Sequence, residues 1–435
     1  MLKNWKTYKL GEITLWKSGG TPSKSKPEYW NGKIPWISAK TLKGRYVFDS
    51  NLKITKAALG KGGKIAPLGS LLFLVRGSGL YNDIPVAMVT KEVAFNQDIK
   101  CVMSKRTDMA KMFLLYWFKG SKQTFTNMLE ATSIGAGKFN SDRLFNIEIQ
   151  LPPLKEQKAI AEILSAIDDK IENNLAINNT LEEMAMALYK HWFVDFDFPI
   201  TKESHPELVS GSQPVGYKTA GGKFIESELG MIPKGWEVKK IGDLIETLGG
   251  GTPKTSEKSY WENGNILWYS PTDLTRNNAM FSFDSSKKIN SLGLSKSSAK
   301  LFPPYSLLMS SRATIGALTI NTVQASTNQG FITMIPNDQI SIYQLYSWVK
   351  DNMDLIISKA NGSTFKEISK TNFRNLKIIV GKDVKPFLKE SRNIFEKVEN
   401  NLKENQTLTK LRDTLLPKLI SGEVRLTAFE EEVLQ

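Results

Sequence analysis

Cysteine and histidine are almost missing from this chain: one cysteine, Cys101, and two histidines, His191 and His205, stand among 435 residues. A single thiol excludes an internal disulfide and a cysteine metal cluster, and predicts a reducing, cytoplasmic location. Two histidines, one at a helix end and one in a connector, compose neither a metal site nor a catalytic triad. Long apolar runs are lacking too. No stretch approaches the roughly 18 to 20 residues that span a bilayer, and Met1-Leu2-Lys3-Asn4-Trp5-Lys6 has no signal-peptide core, so no membrane partner is expected. The glycine clusters Gly60-Lys61-Gly62-Gly63-Lys64 and Gly249-Gly250-Gly251-Thr252 lack the Gly-Lys-Ser/Thr ending of a phosphate-binding loop. Glu156-Gln157-Lys158 has the Glu-x-Lys shape of some nucleases but opens a helix, and no methyltransferase cofactor motif is seen. Catalysis by the chain itself is not expected. Acidic residues are the minority: 44 Asp and Glu face 58 Lys and Arg, a net charge of +14 that points to an anionic partner. With the membrane excluded, that partner is nucleic acid.

What the chain does contain, it contains twice. Trp5, Gly11, Gly20-Thr21-Pro22 and Tyr29-Trp30 return as Trp236, Gly242, Gly251-Thr252-Pro253 and Tyr260-Trp261. Ile34, Trp36, Ser38 and Leu42 return as Ile266, Trp268, Ser270 and Leu274, and Ser70-Leu71-Leu72 with Arg76 as Ser306-Leu307-Leu308 with Arg312. Asn96-Gln97 matches Asn328-Gln329, and Glu172-Asn173-Asn174-Leu175 matches Glu399-Asn400-Asn401-Leu402. The unit is far longer than the roughly 20 to 50 residues of a solenoid repeat, so it is a duplicated domain.

Residues 1–150 read as mixed strands and loops with one amphipathic helix near Met109 to Phe118. From Glu156 to about Trp192 there is neither Pro nor Gly. Ile160, Leu164, Ile167, Ile171, Asn174, Asn178, Leu181, Ala185 and Leu188 follow a 4-3 spacing there, predicting a coiled-coil seam entered after Pro152-Pro153. Residues 196–235, rich in Gly, Ser and Pro, predict a connector with little regular structure. A second globule covers 236–380. A second helix is expected over about 383–419, with Phe387, Ser391, Ile394, Val398, Asn401, Asn405, Leu408, Arg412 and Leu415 in the seam. The fold class is therefore α+β: two similar mixed α/β globules (1–150, 236–380), two long antiparallel helices (151–195, 381–425), the connector, and a tail over 426–435. If the helices pack antiparallel, the midpoints of 156–192 and 383–419 fall on Asn174 and Asn401, predicting a central polar layer that fixes register.

The first helix carries Glu156, Glu162, Asp168, Asp169, Glu172, Glu182 and Glu183 against Lys158, Lys170 and Lys190. An acidic rod does not hold phosphate, so the grip on nucleic acid belongs to the globules.

In this order the parts resemble the specificity subunit of type I restriction-modification systems over essentially the whole chain. The resemblance rests on Ser18 to Pro22 with Tyr29-Trp30 and Ile34-Pro35-Trp36, Leu151 to Leu154 leading to Glu156-Gln157, Trp192 to Phe196, Glu228 through Ile232-Pro233 to Trp236, and the string Leu411 to Gly422. It implies a non-catalytic subunit of an adenine-N6 DNA methyltransferase and endonuclease complex. Each globule would be a target recognition domain reading one half of a bipartite double-stranded DNA site, and the helices would set the spacing and dock two methyltransferase subunits. The chain would bind no cofactor itself. S-adenosylmethionine, ATP and Mg2+ would serve the partner subunits, and the resemblance leaves open whether a restriction (motor nuclease) subunit joins them. One departure is visible: Val380-Gly381-Lys382-Asp383 stands before the second helix where Leu-Pro-Pro-Leu precedes the first.

The residues fit that work. A helix over 156–192 would rise roughly 55 Å at about 1.5 Å per residue, more than one turn of B-DNA at about 34 to 36 Å. Arg forks suit guanine and Asn or Gln amides suit adenine, so Arg76, Arg312, Asn96, Gln97, Asn328 and Gln329 are candidate groove contacts. The Asn-Gln pairs equally suit turns. Lys24, Lys40, Lys138, Lys254 and Lys366 are candidate phosphate contacts. The matched aromatics read as core packing rather than base-stacking platforms. Glu182, Glu183 and Arg412 are candidate subunit-docking residues. A coiled-coil scaffold that binds DNA without choosing sequence is the alternative; a purely structural rod would not need the basic excess outside the first helix.

Overall fold

The computed structural model describes residues 4–426 apart from 134, 203, 210, 313 and 363–365, and the side chain of 277 is likewise outside the described set. The chain divides into two compact units, residues 1–172 with 406–435 and residues 173–405.

In the first unit Lys6–Lys9 pairs antiparallel with Glu148–Leu151, so the chain enters and leaves the globule on neighbouring strands. A five-stranded sheet has the spatial order Thr14–Ser18, Ile99–Ser104, Leu71–Leu74, Val86–Val89, Tyr46–Val47, with only the last pairing parallel. Leu71–Leu74 and Val86–Val89 are buried at every position. Covered on both faces, they read as unbroken apolar runs. Lys111–Gly120, the helix expected near Met109 to Phe118, packs on this sheet, with the Phe118 ring 5.0 Å from that of Phe73. A smaller sheet runs Lys53–Ile54, Trp30–Ile37, Val93–Phe95, Ile65–Ala66.

The second unit repeats the plan. Glu237–Lys240 pairs with Lys377–Val380. Its five-stranded sheet runs Glu246–Gly249, Phe331–Ile335, Leu307–Ser310, Leu318–Asn321, Phe281–Ser282, again with only the last pairing parallel. The smaller sheet is Lys287–Ile289, Ile266–Tyr269, Ala325–Thr327. Ile342–Asp351 takes the place of Lys111–Gly120.

Leu154–Phe193 forms the first long helix, starting directly after Pro152-Pro153, where missing N–H groups cost nothing. The second, Lys385–Ser421, starts two residues later than expected and ends at Gly422, which adopts the left-handed conformation (φ 74°) of a helix stop. The divergent entry has a local cause: a Cβ on Gly381 would come within 2.8 Å of the Trp236 ring. In the first unit Ile160, Ala161 and Leu164 share a core with Leu416, Leu419 and Ile420; in the second Ala185, Tyr189, Trp192 and Phe193 share one with Phe387, Phe395 and Val398.

The connector departs from expectation. It forms the pair Pro199–Ile200/Val215–Gly216 and the hairpin Phe224–Ser227/Gly230–Pro233. Phe198 stacks between Tyr217 and Trp236, each centroid 4.9 Å away. Isolated aromatics at irregular intervals carry no strand or helix period, yet the stack orders the segment against Phe193 and Trp236.

Candidate nucleic-acid interface

Both globules build the same loop from the same residues. A Cβ on Gly19 or Gly250 would lie 2.0 Å from the carbonyl oxygen of Asn96 or Asn328, so only glycine permits the approach. Gly20 N–H then donates to Phe95 O at 2.9 Å and Gly251 N–H to Thr327 O at 2.8 Å. The indole of Trp36 donates to Gly20 O at 3.1 Å, that of Trp268 to Gly251 O at 2.9 Å. Trp30 and Trp261 hold the other end of the loop through Ser23 O and Lys254 O, and each meets its partner tryptophan edge-on at 5.4 and 5.1 Å. The matched aromatics therefore brace the loop from beneath.

That scaffold fixes one exposed amide per globule. Thr21 donates through its hydroxyl to Oε1 of Gln97, and Thr252 to Oε1 of Gln329 at 2.6 Å. With its carbonyl occupied, each glutamine keeps an N–H2 group for which no protein acceptor is present among the described residues. The neighbouring asparagines are used differently: Asn96 Oδ1 accepts from Asp98 N–H at 3.2 Å and Asn328 Oδ1 from Gly330 N–H at 2.8 Å. They are turn residues, and Asn96 is buried. Of each Asn-Gln pair only the glutamine faces out. Thr21 and Thr252 were visible as repeat matches, but Gly-Thr-Pro alone reads as a turn, and only the fold brings them to the glutamines.

Lysines ring this face. Lys24 and Lys26 lie on the first loop, and Lys61 and Lys64 on the segment whose Gly62 packs against Gly20 and Thr21. Lys254 and Lys258 lie on the second loop, and Lys296 and Lys300 flank Ser298 and Ala299, which pack against Gly251. All eight are exposed. Sequence reasoning missed Lys61, Lys64, Lys296 and Lys300 because their loops come from elsewhere in the chain. Lys40 is exposed on the turn at Ser38–Thr41, directly after Ile37, whose carbonyl accepts from Asn96 N–H at 2.9 Å beside the glutamine turn.

The arginines flank the same turns. Val75 N–H donates to Asp98 O and Ser311 N–H to Gly330 O, both at 2.8 Å, placing Arg76 and Arg312 directly beside the glutamine turns. Lys138 lies opposite Arg76 on a paired strand, 3.9 Å from Glu130, and Lys366 is exposed next to Glu367.

The helix asparagines turn inward. Asn174 Nδ2 donates to Asn405 Oδ1 at 2.9 Å and to Glu404 Oε2 at 2.7 Å, and Asn401 Nδ2 donates to Asn178 Oδ1 at 2.8 Å. The buried polar layer thus contains four asparagines, and Asn174 and Asn401 each bond the other's neighbour one turn along. Glu182 was expected on a docking face; it accepts from Tyr346 and Lys350 of the second globule. Glu183 is exposed. Arg412 donates to Asp168 at 2.8 Å, and Asp168 also accepts from Tyr116 at 2.9 Å. Arg45 joins this cluster through Asp169 and Glu172.

The arrangement offers forked and amide donors on a cationic rim. Among the described residues there is no group of three or more His, Cys, Asp or Glu placed to hold a metal, and no helix long and apolar enough to cross a membrane.

Residues 2–183 and 233–414 match the type I restriction modification DNA specificity domain. The chain is 30% identical to the type I restriction enzyme MjaIX specificity subunit of Methanocaldococcus jannaschii, covering 98% of this chain and 94% of that one. It is 26% identical to the HindI specificity subunit of Haemophilus influenzae, over 97% and 100% respectively. Among solved structures it resembles the type I restriction-modification S subunit from M. genitalium, with a TM-score of 0.53 at 16% identity over 97% and 98% of the two chains.

Proposed function

The chain belongs to the family of type I restriction-modification specificity subunits, and from that premise we propose how its parts divide the work. Each globule, a target recognition domain, reads one half of a bipartite, asymmetric duplex site. The face that does so carries Gln97, Arg76 and the surrounding lysines in the first globule, and Gln329, Arg312 and their lysines in the second. The single observation that supports this most is the Thr-fixed glutamine recurring in both copies on a lysine-ringed loop. A donor held rigid before contact loses little entropy on binding, and the lysines supply the salt-dependent phosphate attraction.

On this reading the long helices fix the unread gap and dock methyltransferase subunits. Adenine-N6 methylation, with its S-adenosylmethionine, and any ATP- and Mg2+-dependent cleavage belong to those partners. The chain contributes choice of sequence. A scaffold that bound DNA indiscriminately would have no use for amides locked in position in each globule.

The test is to co-express the chain with a methyltransferase subunit encoded beside it and map modified adenines across the host genome. The expected result is one bipartite motif with unlike halves and a constant gap, of which exchanging residues 1–150 alters one half only. Methylation without a motif would favour the scaffold.

A further inference from the structure

The two globules pair three equivalent segments beside the glutamine turn, as a three-stranded sheet in the first and as isolated bridges in the second, but load them with different charges. In the first, Glu130–Ala131, Gly137–Lys138 and Arg76–Gly77 pair in that order, setting Glu130 opposite Lys138 and Lys138 opposite Arg76. In the second, Asn361 bridges Glu367 and Glu367 bridges Arg312. The frames correspond bond for bond: Phe139 N–H donates to Val75 O at 3.0 Å, and Ile368 N–H to Ser311 O at 3.1 Å. Lys138 and Glu367 are therefore the same position with opposite charge. On the adjoining turn, Asp98 stands where the second globule has Gly330.

The consequence for the arginines is unequal. Arg312 Nε donates to Glu367 Oε1 at 2.7 Å. Glu367 is itself held by two backbone hydrogen bonds with Asn361, both 2.8 Å. The guanidinium is thus pinned by its inner nitrogen, with both terminal nitrogens lacking protein acceptors among the described residues. Arg76 has no such anchor. Its Nε lies 3.6 Å from Asp98, an ion pair beyond hydrogen-bond reach, its side chain is 61% exposed, and its cross-strand neighbour is a second cation.

We propose that Arg312, oriented by Glu367, reads a guanine in the second half-site through its two terminal nitrogens, while Arg76 and Lys138 grip phosphate in the first. Paired parallel N–H donors match O6 and N7 of guanine, and a pinned fork presents that geometry before contact. Two adjacent cations without a fixed plane suit a diffuse negative charge. Glu367 is a positioning residue, and this pair is one point at which duplicated domains come to prefer unlike sequences. The inference rests on the proposed DNA reading of both globules.

The experiment selects bound duplexes from a randomised pool, using the full chain with its methyltransferase subunit, and then measures affinity against salt. The wild type comes first: enrichment of no sequence would sink the proposed function itself, before any variant is made. Given a wild-type motif, Arg312→Lys keeps the charge and loses the fork. It is expected to lower discrimination at one guanine of one half-site by roughly 5- to 150-fold, and Glu367→Gln should relax the same position. Arg76→Ala should weaken all duplexes alike and reduce the salt slope by about 1, with its half-site motif retained. An Arg312→Lys complex that keeps its full motif, or an Arg76→Ala complex that loses one base preference, overturns the assignment.

Discussion

Asn401 donates through Nδ2 to the Oδ1 of Asn178 at 2.8 Å, and both side chains are buried between the long helices. Asn401→Leu removes the donor and leaves a buried oxygen unpaired, a loss of about 1–3 kcal/mol. The double variant Asn178→Leu/Asn401→Leu is expected to be less destabilised than the sum of the two single ones, with a coupling of about 0.5–3 kcal/mol by denaturant titration. Additive losses would mean that the pair is not mutually supportive.

Thr252→Val keeps the shape of the side chain while removing the hydroxyl that holds Gln329. Stability should change little at this exposed site. Affinity for the cognate duplex should fall by roughly five- to tenfold, on the order of one hydrogen bond, in a titration of the assembled complex. Gln329→Ala should cost at least as much, and an unchanged affinity in both variants would remove the glutamine from the interface.

Glu182 and Glu183 separate cleanly. Charge reversal at Glu182 leaves the buried Tyr346 hydroxyl without its acceptor and sets two cations, Lys350 and the new side chain, together. Glu182→Lys should lower the melting temperature of the isolated chain through a loss of about 1–3 kcal/mol, whereas Glu183→Lys should not. Calorimetry of both variants checks this, and Glu183→Lys is then the informative variant for a pull-down with the methyltransferase subunit.

Burial pushes the Tyr116 phenol up to about 12; bonds from Ser165 and Arg45 oppose that, and the Asp168 carboxylate adds to it. The unfolded phenol releases its proton near 10, so between about pH 10 and 12 the folded chain holds a proton that the unfolded chain has lost. Its contribution is complete below pH 10 and disappears as the pH rises through 12. Tyr116→Phe should lower stability by about 1.5–3 kcal/mol at neutral pH, the range for bonds to charged groups, and flatten the alkaline decline. An equally steep decline in the variant would assign it to other groups.

Much of this was readable because duplication supplies its own comparison. Gly19 and Gly250, Trp36 and Trp268, and Thr21 and Thr252 announce themselves by recurring, and the 4-3 spacing announces the helices. What recurrence leaves out is contact between segments far apart in sequence. Lys61 and Lys296 come beside the candidate face through tertiary packing, Glu182 meets Tyr346 across 164 positions, and the connector is ordered by an aromatic stack without a period. Symmetry pointed to Asn174 and Asn401 as neighbours, but side chains on antiparallel helices interleave, so each bonds the residue one turn beyond. The divergence at Lys138 and Glu367 was hidden for a related reason: the two positions align through strand pairing, not through matching residues.

The strands Lys6–Lys9 and Glu148–Leu151 lie side by side, as do Glu237–Lys240 and Lys377–Val380. Chain enters and leaves each globule at one ladder, about 4.8 Å across. A globule is thus a cassette between two adjacent sockets. A replacement sequence that ends in the same pair of strands would meet the rest of the chain through the same ladder, so on the proposed reading a new half-site could be installed in one exchange with the helix residues unchanged.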